Sequence, residues 1–300
     1  MVYALALSAA AFVGIGNAVQ QRSAARAPSG TALHWRLLGY LLHQRLWLAG
    51  IATSVVGNLL SGAALGLGSV AEVEPLSVMA VLFAMGVAAV WSRYRVGWRE
   101  WSGASAVVVG VLVFLVVARP GPGRPDAPVW QWALAAASIG AITAGLVSLA
   151  RRMRPQHEAA VLGLGAGMLF GLQAALTSAA ARRLFERGLL PMLVDWTPYA
   201  VVVIAVIGIL LAQSAFKLAP LPVSYPPVAA AEPLAGVAIG IGVLEGTMRI
   251  TPIALVVEIV ALALMTVGVY ALASSRLVEA HHHAHHRPHL PHRHPHSPRP

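Results

Sequence analysis

The sequence predicts an all-α polytopic membrane protein with about nine transmembrane helices in an inverted 4+1+4 repeat. Three observations predict this fold: the apolar composition, the spacing of long apolar segments and a similarity between the two halves. Of the 300 residues, 58% are hydrophobic and 11% are charged, whereas soluble domains carry about a quarter charged residues. Such a chain cannot cover a water-exposed surface. It has no cysteine, which excludes disulfides and thiolate metal sites.

Nine segments are apolar enough to cross a bilayer core, which takes about 20 residues of helix. They cover residues 2–19, 46–66, 72–92, 101–119, 128–150, 158–180, 197–217, 222–244 and 252–273. Most gaps between them are a few residues long, so a soluble domain has no room. In residues 31–45, apolar side chains recur at helical spacing between Arg and His. That pattern predicts an interfacial amphipathic helix.

The basic residues predict the orientation of the chain. The loops after spans 1, 3, 5 and 7 hold 11 Lys and Arg, and those after spans 2, 4, 6 and 8 hold 6. The positive-inside rule therefore puts the N-terminus outside and the C-terminus in the cytoplasm. The predominance of Arg, with Lys217 the single lysine, is typical of a GC-rich bacterial genome and indicates a bacterial plasma membrane. Because the basic residues lie in short loops and the tail, the net charge of +10 does not predict a nucleic-acid partner.

The two halves of the chain resemble each other. A shift of 157 residues aligns Gly14 with Gly171, and a shift of 158 aligns the Glu-Pro-Leu at Glu74 with that at Glu232. Spans 1–4 then pair with spans 6–9, five positions apart, so paired spans cross in opposite directions. This is the inverted-repeat plan of secondary transporters, which bind substrate near the midplane between the repeats.

The repeat also predicts the domain boundaries. Residues 1–119 form the first membrane repeat, 128–150 the linking span and 158–273 the second repeat. Residues 274–300 form a disordered cytoplasmic tail rich in His, Pro and Arg.

Two stretches carry a resemblance to a known group of transporters. "WLAGIATSVVGNLLSGAALGLGSVAEVEPLSVMAVLFAMG", from residue 47, resembles the first half of NIPA-type magnesium transporters. "APLPVSYPPVAAAEPLAGVAIGIGVLEG", from residue 219, resembles the second-half signature of EamA-type permeases. Both groups belong to the drug/metabolite transporter superfamily. The resemblance implies a nine-span permease without fixing a substrate, since the superfamily transports amino acids, nucleotide sugars, drugs and metal ions. The Gly-Glu-Arg common after the proline helix is replaced here by Leu244-Glu245-Gly246.

Three carboxylates are candidates for transport or ion coupling: Glu232, Glu258 and Glu74. An ionised carboxylate in hydrocarbon costs a few kcal/mol, about 3 on insertion scales, so it is expected to face a cavity. For Glu74 and Glu232 the alternative is a helix entrance, where an acid followed by proline makes a good N-terminus. For Glu258 the alternative is a protonated carboxyl group hydrogen-bonded between helices.

Other polar and proline residues inside the spans define a candidate cavity. Four amides and one hydroxyl line a substrate path or, as is commoner, hold helices together: Asn17, Asn58, Gln173, Thr177 and Gln213. Four prolines are expected to break helices, because proline removes a backbone hydrogen bond that lipid cannot replace: Pro75, Pro226, Pro227 and Pro233.

Small residues and histidines suggest possible partners. Gly163, Gly167 and Gly171 repeat every four residues, which permits close helix packing, within the chain in preference to a homodimer. In the tail, five histidines are candidate ligands for Zn, Ni, Cu or Co: His281, His282, His283, His285 and His286. The alternative for the tail is a low-complexity extension attracted to anionic lipid. Magnesium prefers oxygen ligands, so these histidines do not favour it.

The sequence therefore predicts a secondary transporter that moves a small solute or cation by alternating access. One alternative is a NIPA-like Mg²⁺ transporter, and another is a non-transporting scaffold or metal sensor that uses the His-rich tail. No nucleotide-binding loop, Ser-His-Asp constellation or zinc-protease motif occurs, so neither an enzyme nor a resident cofactor is predicted. The expected partners are the bilayer and a small-molecule or ion substrate.

Overall fold

The computed structural model describes residues 1–67, 76–91, 96–118, 127–243 and 251–274, except for the side chains of residues 65–66 and 181–187. Glu74, Pro75 and the tail histidines lie outside these ranges. All regular structure within them is helical. The helices are α1 (Val2–Ala24), α2 (Trp35–Leu42), α3 (Arg45–Leu67), α4 (Ala80–Trp91), α5 (Trp98–Ala118), α6 (Val129–Ala150), α7 (Pro155–Arg187), α8 (Leu189–Val194), α9 (Thr197–Leu218), α10 (Leu221–Gly242) and α11 (Pro252–Ala273).

Seven of the described helices are long and apolar enough to cross a membrane: α1, α3, α5, α6, α7, α9 and α11. A helix of 22 residues is about 33 Å long, which matches a hydrocarbon core of about 30 Å. In α3 and α6 only 17% of the apolar window is buried, so most of their apolar side chains form lipid-facing surface. The chain is therefore a polytopic helical membrane protein, as its composition predicts.

Helix α10 has membrane-spanning length but is not among these seven. Its prolines, glycines and Glu232 make it less apolar, and twelve of its 22 residues are buried by neighbouring helices. Of predicted span 72–92, the structure describes residues 76–91. Helix α4 covers twelve of them.

The helices pack in two similar sets. Helix α1 contacts α3 and α4, and helix α7 contacts α9 and α10. Helices α5 and α11 pack against each other, and α1 meets α9 and α10 between the two sets. Helix α6, the predicted linking span, packs against α7.

Glycines allow the closest of these approaches. A Cβ atom built on Gly14 would lie 2.5 Å from the Ala80 carbonyl oxygen of α4. A Cβ atom on Gly167 would lie 2.4 Å from the Val228 carbonyl oxygen of α10, and one on Gly171 2.5 Å from that of Glu232. Gly163 packs there too, so the predicted packing of this glycine stripe within the chain is confirmed.

The prediction that prolines break the eighth span is wrong for the described residues. Helix α10 is continuous from Leu221 to Gly242 through Pro226, Pro227 and Pro233. Pro222 occupies the first turn, where its missing N–H costs nothing. Each internal proline instead removes the donor for the carbonyl group four residues earlier, and close packing against α7 holds the helix together.

Several predicted boundaries also differ from the observed ones. Helix α1 continues past the predicted end at residue 19 to Ala24, because Gln20 and Ser23 are buried by neighbouring helices. Helix α7 extends from Pro155 to Arg187, beyond the predicted 158–180, and the short helix α8 was not predicted. The predicted amphipathic segment forms helix α2, which buries Leu37 and Leu41.

Candidate functional site

A chain of polar side chains joins three helices close to the C-terminal ends of α1 and α9. Gln213 of α9 donates a hydrogen bond of 2.8 Å from Nε2 to Oε1 of Gln20 of α1. Gln20 in turn donates from Nε2 to the Ser54 hydroxyl of α3, at 3.1 Å. Gln213 is only 2% exposed and Gln20 5%. Membrane-embedded amides of this kind hold helices together, so this chain ties α1 to both α3 and α9.

A second polar contact joins α1 to α10. The Tyr225 side chain of α10 lies close to the Asn17 side chain of α1, and the Glu232 carboxylate is near enough to act electrostatically on Tyr225. The Tyr225 ring packs edge-on against Phe216 of α9, with ring centroids 6.3 Å apart. Tyr225 is buried, so three helices fix the position of its hydroxyl group.

Glu232 is the acidic member of this group. It is the twelfth of the 22 residues of α10 and is exposed, although half of that helix is buried. Tyr225 and Glu232 are seven residues apart, about two helical turns, and so share one face. On this face α10 approaches α1 through the Tyr225–Asn17 contact. Glu232 therefore lies near the middle of α10, on the face that also carries Tyr225.

Its position excludes one interpretation of Glu232. A helix-entrance acid lies in the first turn, where the amide dipoles favour negative charge. Glu232 lies three turns inside a continuous helix. The helix-start interpretation is therefore wrong for Glu232, and the same interpretation of Glu74 falls outside the described residues.

Pro233 leaves a backbone carbonyl oxygen near Glu232 without its usual hydrogen-bond donor. Because proline has no N–H, the carbonyl group of Ala229 lacks its usual donor four residues ahead. Ala229 precedes Glu232 by three residues and so lies on nearly the same face of α10. Carboxylate and carbonyl oxygens are the atoms that bind a hard cation or an ammonium group.

Glu258 lies elsewhere, in the contact between α5 and α11. Gly103 of α5 packs beside Gly268 and Gly110 beside Ala261, so the two helices run antiparallel and this register brings Glu258 level with Val113. Glu258 is 5% exposed, and its Oε1 has no hydrogen-bond partner among the described groups. The structure thus separates Glu258 from the Asn17–Tyr225–Glu232 group.

Two other predicted cavity residues, Asn58 and Thr177, are exposed, and Gln173 is half-buried on α7. Asn58 is exposed on α3, where few residues are buried. Thr177 is exposed and donates from its hydroxyl to the Gln173 carbonyl oxygen of its own helix, at 2.8 Å. That bond satisfies the Thr177 hydroxyl group within its own helix. Neither a substrate path nor a contact with another helix is needed to explain this side chain.

Gln20, Ser54 and Tyr225 are site residues that the sequence reasoning missed. Gln20 lies one residue beyond the predicted end of the first span, and Ser54 has no distinctive pattern around it. Tyr225 stands beside Pro226 in a segment chosen for its prolines. A buried tyrosine in a membrane span needs a partner for its hydroxyl group, and that requirement was the available signal.

No cluster of three or more His, Cys, Asp or Glu residues that could hold a metal occurs among the described residues. The predicted ligands His281–His286 lie outside them.

Comparison with known proteins gives one full-length relative. A Corynebacterium glutamicum protein named as uncharacterized is 28% identical over 275 residues, which are 92% of this chain and 95% of the relative. No family model matches the chain. No solved structure gives a significant match.

Proposed function

We propose that this protein is a secondary transporter of the drug/metabolite type, a nine-span permease that works by alternating access in a bacterial plasma membrane. The observation that carries the proposal is the Asn17–Tyr225–Glu232 group, which sets an exposed carboxylate at the middle of α10. A charge at that depth is costly unless it lines a water-filled cavity, and such charges mark substrate and ion pathways.

The helix contacts support an inverted repeat. The predicted partners of α1, α3 and α4 are α7, α9 and α10, and each set packs its first helix against the other two. The remaining predicted partners, α5 and α11, pack against each other. A pseudo-two-fold axis in the membrane plane produces this pattern of contacts. The Asn17–Tyr225 contact then lies between the repeats, where such transporters bind substrate.

The chemistry of the site favours a positively charged substrate or coupling ion. Glu232 supplies a negative charge, and Tyr225, Asn17 and the Ala229 carbonyl group supply neutral oxygens. An anion would be repelled by the carboxylate, whereas an amine, a proton or a metal cation would neutralise it. We therefore propose a cation or a small cationic solute as the substrate.

The glutamine pair suggests a gate on one side of this site. Gln20 lies four residues before the end of α1, and Gln213 five residues before the end of α9. Both are nearer the ends of their helices than Glu232 is to either end of α10. With the N-terminus outside, as the distribution of Lys and Arg predicts, these helix ends face the cytoplasm. The Gln20–Gln213 bond then closes the inner end of the pathway, and it breaks when the pathway opens inward.

Ligand-induced stabilisation of the purified full chain tests the site. The panel contains Mg²⁺, polyamines, cationic drugs, amino acids and uncharged sugars, each applied to the wild type, Glu232→Gln and Glu100→Gln. Glu100 is a buried carboxylate that accepts the Gly97 N–H at the start of α5, an acceptor role that glutamine retains. A ligand that binds the native state raises its Tm by mass action.

We expect a cationic ligand to raise the Tm of the wild type and of Glu100→Gln but not that of Glu232→Gln. A shift that persists in Glu232→Gln, or a shift produced by an uncharged sugar alone, would reject this site.

A further inference from the structure

An apolar cavity of about 600 Å³ lies between α6, α7, α10 and α11, outside the proposed transport site. The α10 side chains that line it include Leu234 and Ala238. At 100° per residue these positions lie on the side of α10 opposite Tyr225 and Glu232. The cavity is therefore separated from the proposed pathway by α10 itself.

The cavity extends from one membrane surface past the midplane. Along α7 its lining begins at His157, in the first turn, and ends at Met168. Those twelve residues, eleven helical steps, span about 16 Å of helix, close to half of a hydrocarbon core of about 30 Å. On α11 the lining runs from Leu262 to the end of the helix at Ala273. On α10 the lining runs from Ala230 to Ala238, which the packing of Gly167 against Val228 and of Gly171 against Glu232 places beyond the level of Met168 on α7. The cavity therefore reaches from one membrane surface past the midplane.

The end of the cavity beside the turn between α6 and α7 is polar and basic. Met153 and His157 line that end, and the turn between α6 and α7 carries the exposed Arg151, Arg152 and Arg154. Glu158 interacts electrostatically with Arg151, so Arg152 and Arg154 supply the excess positive charge. The exposed Tyr270 of α11 lies at the same end, as expected for an amphipathic side chain at the membrane surface.

We propose that this cavity is a binding site for an anionic phospholipid of the adjoining leaflet. One acyl chain fills the apolar cavity, and the phosphate group lies against Arg152, Arg154 and His157. The length of the apolar lining selects an acyl chain over a compact solute, and the basic turn selects an anionic headgroup over a zwitterionic one. The lipid would wedge α11 against α7 and α10, which otherwise make few contacts with it.

Lipid titration of the delipidated full chain, followed by native mass spectrometry, tests this proposal. The probes are phosphatidylglycerol, phosphatidylcholine and inorganic phosphate. Ala238→Phe fills the cavity, and Ala137→Phe is the matched control, since Ala137 is exposed on α6 and does not line the cavity. Arg152→Gln/Arg154→Gln removes the headgroup contacts, and Arg99→Gln removes an exposed arginine of α5 that lies outside the cavity lining.

We expect the wild type, Ala137→Phe and Arg99→Gln to retain one phosphatidylglycerol more tightly than phosphatidylcholine. An arginine at a membrane surface contributes about 1 kcal/mol to anionic-lipid binding, so the double arginine variant should bind phosphatidylglycerol roughly 30-fold more weakly. Ala238→Phe should lose the retained lipid altogether.

Equal retention of the two lipids by the wild type, or full retention by Ala238→Phe, would overturn the proposal. If inorganic phosphate bound the wild type as tightly as phosphatidylglycerol, the arginines would be assigned to a phosphate-ion site instead. Loss of transport in Ala238→Phe with unchanged lipid binding would make the cavity a solute path.

Discussion

Gln213 donates a 2.8 Å hydrogen bond to Gln20, a residue 193 positions earlier in the sequence. The bond links α9 to α1, and through Ser54 the connection reaches α3. Because both side chains are buried, they depend on neighbouring helices for their hydrogen bonds. This dependence makes the pair a target for a stability measurement.

Gln20→Leu is expected to destabilise the protein by about 1–2 kcal/mol. The substitution removes two interhelical hydrogen bonds, each of which contributes about 0.6 kcal/mol on average in a membrane protein, and it leaves the buried Gln213 amide group without a partner. Gln173→Leu is the control, since Gln173 is half-buried on α7 and should tolerate leucine within about 0.5 kcal/mol. Unfolding in mixed micelles measures both variants, and equal stability would contradict the role of the pair.

Gly167→Ala should separate α7 from α10. The new Cβ atom would lie 2.4 Å from the Val228 carbonyl oxygen and 2.8 Å from the Ala231 Cβ atom, and neither can move without shifting a helix. Overpacking of this kind costs about 1–3 kcal/mol.

Gly140→Ala makes the same chemical change where no atom lies within 4 Å. Alanine has the higher helix propensity, so this variant should be as stable as the wild type or more stable by up to about 1 kcal/mol. The Tm values of the two variants in detergent should move in opposite directions. If both moved equally, the close packing at Gly167 would be refuted.

Glu258→Leu is expected to stabilise the α5–α11 contact. The carboxyl group is 5% exposed and its Oε1 is unpartnered among the described groups. A buried polar atom without a partner costs about 1–3 kcal/mol, which leucine, of similar size, would remove. Thermal unfolding of the variant should give a higher Tm, while Glu258→Gln, which stays polar, should not. A lower Tm for Glu258→Leu would mean that the carboxyl group is satisfied in the membrane.

Cysteine labelling tests the orientation of the chain. Because the sequence contains no cysteine, each introduced thiol is labelled without background. Arg152 and Leu190 are both exposed and lie at opposite ends of α7. With the N-terminus outside, an impermeant maleimide should label Leu190→Cys in intact cells and Arg152→Cys only after lysis. The reverse labelling pattern would mean that the N-terminus lies in the cytoplasm.

Most of the helices were predictable from the sequence because apolar length determines a membrane span directly. The ends were less predictable, since Gln20 is polar and only its partners on α3 and α9 make its burial favourable. Likewise Pro226 and Pro227 predict a break in an isolated helix, whereas the glycine-lined face of α7 supports a continuous one.

The candidate site was predictable in some of its residues but not in their grouping. Asn17, Gln213 and Glu232 are conspicuous as polar residues in apolar spans, yet nothing in their spacing indicates that Asn17 meets Tyr225 while Glu258 lies apart.

The packing also qualifies the alignment of the repeats. Gly171 follows Gly14 by 157 residues, but Glu232, against which Gly171 packs, follows Ala80, the contact of Gly14, by 152. The helix crossings thus pair Glu232 with Ala80, whereas the sequence alignment pairs it with Glu74. An insertion or a shift in helix register between the halves is invisible in a short motif match.

Transport into proteoliposomes by the wild type, Glu232→Gln and Glu100→Gln tests the central claim most directly. The substrate is the cation that stabilises the purified wild type most, and uptake is measured under an imposed proton gradient and without one. The account predicts gradient-dependent uptake by the wild type and Glu100→Gln, and at least a tenfold loss in Glu232→Gln with its fold retained. Undiminished uptake by Glu232→Gln would contradict the assignment of Glu232 to the transport site.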